Sequence, residues 1–411
     1  MDTEENARPE AATETATESV AETAHSPAPA FDWDPRSAEV QSDQIAAYDA
    51  MRAKCPVALS AQGNWAVFGH ADTKRILADP ATFSNAVSAH LSVPNGMDPP
   101  EHTHFRAIVD RYYTPDRMEA FEPECRAVAQ RLAAALPVPG DVDLMSAFAE
   151  PFANEVQCAF MGWPETLHEP LRAWTRKNQT ATLAMDRAAM SAVAVEFDAY
   201  IREQLDLRRS AGDDLAPADT TTELLGERVD GRRLSDEEIV SIVRNWTVGE
   251  LGTIAASVGI IADFLARHPD VQATLRAQRH DGELLARASD EILRIHAPLI
   301  ANRRRTTAPV TIGDRAIPAG ERVIVLWASA NRDERVFGDP DEFRLDRNPA
   351  DNLLYGDGVH ACPGAPLARL ELRIVMDELL AATASIEPGD EAPRRATYPG
   401  SGWTSLPLRL G

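Results

Sequence analysis

Of the four cysteines in the chain, Cys362 alone stands in a segment built for chemistry. The run from Tyr355 to Gly364 reads YGDGVHACPG and leads into apolar residues spaced as on one face of a helix. A thiolate needs its charge stabilised, and a helix start offers the positive end of the dipole together with N–H groups that lack intrahelical partners. Gly356, Gly358 and Gly364 would let the backbone approach a flat ligand that side chains would block. His360 stands where it would reach an acidic group on that ligand. A lone cysteine is as readily a small buried apolar residue, so the rest of the chain has to decide.

A second chemical signal is a polar pair inside an apolar helix. Ser235 and Glu238 have capping-box spacing, and the pattern runs on to Pro269, predicting a helix of about 30 residues and roughly 45 Å. Its middle, Trp246 to Phe264, is apolar or small on nearly every face and belongs in the interior. Glu250 and Thr253 are three residues apart, about 60° around the axis, and so share a face. A buried acid has its pKa raised unless cations or donors hold it ionised, which suits a group that moves protons.

The cysteine segment resembles the heme-binding loop of the cytochrome P-450 family, Phe-x-x-Gly-x-[Arg/His]-x-Cys-x-Gly, departing only in Tyr355 for the opening Phe. That change keeps a ring near the sulfur and adds a hydroxyl that needs a partner. Pro363 withholds one N–H from the sulfur. Further family marks follow in order. Glu291 and Arg294 match the Glu-x-x-Arg pair, with Arg347 as the third partner upstream of the cysteine. His102 and Arg106, one turn apart on a predicted helix, match the family's propionate-binding pair; Arg304, chosen from three consecutive arginines, matches the propionate arginine of a strand. On the central helix, Gly249 and Thr253 fit the family pattern, while acid and glycine have exchanged places as Glu250 and Gly252.

The resemblance implies a mainly α fold with a small β region, heme b lying between the long central helix and the cysteine-loop helix, and residues 31–411 as one heme domain. It implies Cys362 as the axial ligand of the heme iron, His102, Arg106, Arg304 and His360 as propionate partners, and Thr253 as a catalytic residue managing protons. Glu250 is a catalytic relay in a new position, a group that meets a polar substrate directly, or a residue paired with a neighbouring helix. The reaction implied is insertion of one oxygen atom of O2 into a small organic substrate, with electrons from NAD(P)H through a separate ferredoxin- or flavodoxin-type donor and its reductase. Arg111, Arg369 and Arg373 are candidates for a basic docking patch or for ordinary solvated arginines. The exchanged acid leaves peroxide-driven turnover as an alternative, and a heme-binding sensor without catalysis as another.

The elements needed to position these groups are legible in outline. Helical spacing recurs near residues 43–55, 71–80, 101–113, 124–136 and 188–209, and apolar alternation broken by turn residues marks strands near 64–69 and 309–327. Residues 1–30, rich in Glu, Ala and Thr, predict a disordered acidic tail. With 41 Lys+Arg against 64 Asp+Glu, the formal charge of -23 repels nucleic acid. Scattered cysteines, no export signal and no run of some 18 apolar residues predict a cytoplasmic protein without a membrane anchor. The loop about 82–97 and the stretch 174–190 are the expected substrate-facing segments, with Arg176 and Lys177 read as a solvent-facing pair.

Overall fold

Ser235 accepts the Glu238 N–H while the Glu238 carboxylate accepts the Ser235 N–H, and this capping box opens a helix that runs from Asp236 to Arg267. The predicted long helix is therefore present, and it is the axis of the molecule. Helices Glu150–Met161, Arg187–Ala211, Gly282–His296 and Ala365–Ala382 pack against it. The apolar residues of these helices form one continuous core. The structure is a computed structural model that describes residues 31–88, 90–212 and 216–411; the expected tail, 1–30, lies outside the described residues.

The β region is small, as expected. Its main sheet has five strands in the order Val57–Leu59, Trp65–Val67, Arg322–Leu326, Ala301–Thr306, Phe83–Ser84. Only the Trp65–Val67 and Arg322–Leu326 pair is parallel. Along Ala301–Thr306 the side chains alternate, and Arg304 and Thr306 turn inward while Arg303 and Arg305 face out. Period two thus selects one arginine of the three.

The hydropathy of the central helix has a structural cause. The central helix is long and apolar enough on average to cross a membrane, with an 18-residue window at mean hydropathy 1.6, although Glu250 and Asp263 keep any uninterrupted apolar run shorter than that. Some 67% of that window is buried inside the protein, so packing against four other helices accounts for its composition.

Candidate functional site

The helix after the cysteine begins at Ala365, with Gly364 as its N-cap. The backbone N–H groups of Gly364 and Ala365 lie near enough to the Cys362 thiol to favour its ionised form, and the Ala365 N–H also donates to the Cys362 carbonyl at 3.4 Å. Cys362 is exposed, although protein surrounds its thiol on most sides. Burial raises its pKa, the two N–H donors and Arg106 oppose that shift, and the charge of Glu250 adds to it. Its own N–H donates to the Tyr355 carbonyl at 2.8 Å, which closes the loop. Among the described residues no three His, Cys, Asp or Glu side chains gather around a metal-sized point. A metal held here would take this one thiolate and bring its other ligands with it.

Two of the loop glycines have a conformational reason of their own. Gly356 and Gly358 adopt φ of +73° and +69°, in the left-handed region. A Cβ on Gly358 would also lie 2.6 Å from the Leu77 carbonyl oxygen, so what approaches this backbone is the end of helix His70–Ala78. Only Gly364 borders the thiol, its would-be Cβ lying 3.9 Å from the sulfur and from Tyr113.

The four residues matched to carboxylate binding are held by three separate elements. His102 and Arg106 come from helix Glu101–Val109, Arg304 from the sheet and His360 from the cysteine loop. The His102 and His360 rings meet at 4.3 Å between centroids. His102 Nδ1 and His360 Nε2 are buried without hydrogen-bond partners. Burial lowers the pKa of both; His102 and Arg304 push His360 further down, to about 4, so near neutral pH both rings are neutral, each with one N–H to donate. Arg304 is 5% exposed and donates to the adjacent Arg303 carbonyl, and burial lowers its pKa to about 10. Asp98, fixed by the Ser84 hydroxyl at 2.5 Å and the Asn85 N–H at 2.9 Å, is the nearest anion, 3.9 Å from His360. Arg106 is committed in part to the loop itself, donating to the Ala361 and Val359 carbonyls at 2.7 and 3.2 Å and to Asp110 at 2.6 Å. A buried cation with a neutral acceptor and two orphaned imidazole nitrogens is a donor set that fits an anion, and its neighbouring thiol with two N–H donors fits an iron bearing that anion's carrier. The residues therefore fit heme with its two carboxylates.

On the central helix, Gly249 and Gly252 are exposed, and a Cβ at either would meet nothing within 4 Å. Open space borders the helix there, on the face that also carries Thr253. The Thr253 hydroxyl donates back to the Gly249 carbonyl at 2.7 Å. Glu250, beside them, is half-buried, with its Oε1 enclosed. Its carboxyl turns to the flank, where it meets Glu371 of the cysteine helix. Burial raises the pKa of Glu250 to about 7 and that of Glu371 well above the carboxylate range.

The supporting ion pairs fall where the motif places them. Arg294 donates two hydrogen bonds to Glu291 at 2.8 and 2.9 Å, and Arg347 donates a third at 2.8 Å. Tyr355's hydroxyl finds Asp290 at 3.2 Å; Arg369 bonds the other Asp290 oxygen at 2.9 Å and lies over the tyrosine ring. The arginines considered for a docking patch are thereby spent internally: Arg369 on Asp290, Arg111 on Glu227 and Arg373 on Glu122. Likewise Arg176 pairs with Glu169 and Lys177 with Glu196, while Trp174 is buried, stacked on Phe197.

Three residues of this site belong to no motif read from the sequence: Asp98, Asp290 and Glu371. For Glu371 a signal existed, because it interrupts the buried stripe of Leu367, Leu370, Ile374 and Val375.

Comparison with known proteins agrees with this geometry. A family model described as "Cytochrome P450" matches residues 167–407. Cyclomarin C epoxidase CymV of Salinispora arenicola is 31% identical over 79% of this chain and 84% of its own length. Erythromycin C-12 hydroxylase of Saccharopolyspora erythraea is 32% identical over 90% of this chain and 96% of its own. The solved structure of open cytochrome P450 EryK from S. erythraea superposes with a TM-score of 0.82 at 28% identity, covering 92% of this chain and 98% of that one. The chain belongs to the cytochrome P450 family of heme b monooxygenases.

Proposed function

We propose that Cys362 is the axial thiolate of the heme iron and that His102, Arg304 and His360 hold its propionates, with Arg106 bridging propionate and cysteine loop. The observation that carries this reading is one accessible sulfur at a helix start, with the Gly364 and Ala365 N–H groups beside it. When bound, the heme supplies activation of O2 by two electrons, placing one oxygen atom in an organic substrate and releasing the other as water. The chain's part is to keep the thiolate ionised, to neutralise the carboxylates and to present the Thr253 hydroxyl to the open side of the central helix.

Electrons come from NAD(P)H through a separate ferredoxin- or flavodoxin-type protein and its reductase, and the enzyme works in the cytoplasm. Because Arg111, Arg369 and Arg373 are internally neutralised, docking uses shape and local polarity more than a free basic patch. The relatives named for their reactions act on cyclomarin C, erythromycin and vitamin D3. With Arg176 and Lys177 already paired, an uncharged substrate suits this chain better than an acidic one. The turn of Glu250 toward Glu371 speaks against its use as a direct acid-base catalyst on peroxide.

The test is an optical titration of the ferric protein against macrolides, steroids, terpenes, fatty acids and aromatic acids. A low-spin to high-spin shift with an uncharged class supports the reading. A shift confined to acids overturns the substrate class. A spectrum without thiolate ligation, or one unchanged in Cys362→Ser, overturns the ligand assignment.

A further inference from the structure

Glu371 is 0% exposed, and neither of its carboxyl oxygens has a hydrogen-bond partner among the other described residues; Glu250 Oε1 is buried in the same condition. Each carboxyl lies within hydrogen-bonding reach of the other. Ionised carboxylates only accept, so two of them can bond to each other only if a proton lies between them. Two buried charges of one sign, with no cation beside them, are also the arrangement least able to stay fully ionised.

What surrounds the pair gives no other source for that proton. Tyr113, Cys125 and Cys362 are the titratable groups that face it, from the turn Asp110–Tyr113, the helix Pro115–Ala134 and the cysteine loop. Burial raises the pKa of each of them, and the two glutamates raise those of Tyr113 and Cys125 further. Trp246, one turn before Glu250 on the same flank, packs edge-on against Tyr113 at 5.5 Å and shields this side. On the other side Glu250 adjoins Gly249, where the helix borders open space.

We infer that Glu250 and Glu371 hold one proton between them, a carboxyl–carboxylate pair that joins the central helix to the cysteine helix and stores a proton beside the open face of Thr253. Giving the proton up leaves two adjacent carboxylates, and the pair is restored when one proton returns. Its use in oxygen chemistry rests on the monooxygenase reading; the shared proton itself does not. The exchange of acid and glycine between positions 250 and 252 thus moves the acid from the open face to a buried partner on another helix.

The test compares the full-length wild type with Glu250→Gln and Glu371→Gln. A glutamine supplies in its N–H the donor that the shared proton supplied, so each variant keeps the contact while its remaining carboxylate ionises. The folded wild type binds a proton that the unfolded chain has lost, so its stability is greatest below the ordinary glutamate pKa and declines as pH rises through the pair's own. Expected is a Tm difference that changes sign, wild type the more stable near about pH 5 and the variants near about pH 8. Infrared spectra should also show a protonated-carboxyl band in the wild type at about pH 8 that moves in D2O and is missing from Glu250→Gln. A Tm difference constant with pH, or no such band in the wild type, overturns the proposal, and the band serves alone if Glu371→Gln fails to fold. Thiolate-type heme spectra report on the monooxygenase reading separately, and with heme bound Glu250→Gln should give less product per NAD(P)H consumed.

Discussion

The two ends of Tyr355 do different work: its carbonyl accepts the Cys362 N–H at 2.8 Å, and its hydroxyl donates to Asp290 at 3.2 Å. Asp290 in turn holds Arg369, whose guanidinium lies 4.5 Å from the tyrosine ring centre. The residue where the chain departs from the family pattern thus ties the cysteine loop to helices Gly282–His296 and Ala365–Ala382.

Tyr355→Phe restores the family residue and is expected to destabilise this chain. It removes one of the two side-chain donors to the half-buried Asp290 carboxylate, at a cost of about 0.5–1.5 kcal/mol. Denaturant midpoints with an unchanged m-value would show it; a variant as stable as wild type would mean the hydroxyl contributes nothing net.

Glu291→Gln leaves Arg294, 1% exposed, and Arg347 facing a neutral group. Breaking a buried ion network by removing one charge costs about 3–5 kcal/mol. The same measurement applies, and Arg347→Gln should cost less, because Glu291 keeps its two bonds from Arg294 and Arg347 lies nearer the surface.

At position 358 alanine faces two penalties at once, a left-handed φ of +69° and a Cβ 2.6 Å from the Leu77 oxygen. The backbone term alone is about 1–2 kcal/mol. Gly358→Ala is expected to displace the cysteine loop and to lower the fraction of purified protein that retains heme with thiolate ligation. Gly63→Ala is the control, sharing a φ of +71° with nothing within 4 Å.

Arg304→Gln should act in opposite directions on the two forms of the protein. Without an anion beside it, a buried guanidinium costs stability, so the variant's heme-free form should melt higher than wild type. If Arg304 binds a propionate, the heme-loaded variant should melt lower and release heme faster. Thermal melts of both forms check the two signs together.

How much of this was legible varies with the range of the interaction. The central helix, its capping box and the Glu291–Arg294 pair depend on residues at most a few positions apart, and local rules located them. The family match picks Arg304 out of three consecutive arginines, and strand alternation turns that same residue inward.

The amino-acid sequence by itself determined the family, through the cysteine loop, and the type of each residue the site contains. The tertiary structure decided what faces what. Whether the arginines at 111, 369 and 373 were free depended on acids far away in the chain that no local pattern connects to them. Glycine 358 was read as room for a ligand, yet the neighbour it accommodates is a helix end some 280 residues earlier. Helical geometry placed Glu250 near Thr253, but 60° is enough to send a side chain to the flank when a neighbouring helix offers a partner there. Side-chain periodicity fixes direction about one axis only; the partner is set by how two helices pack, and packing is a property of the whole core.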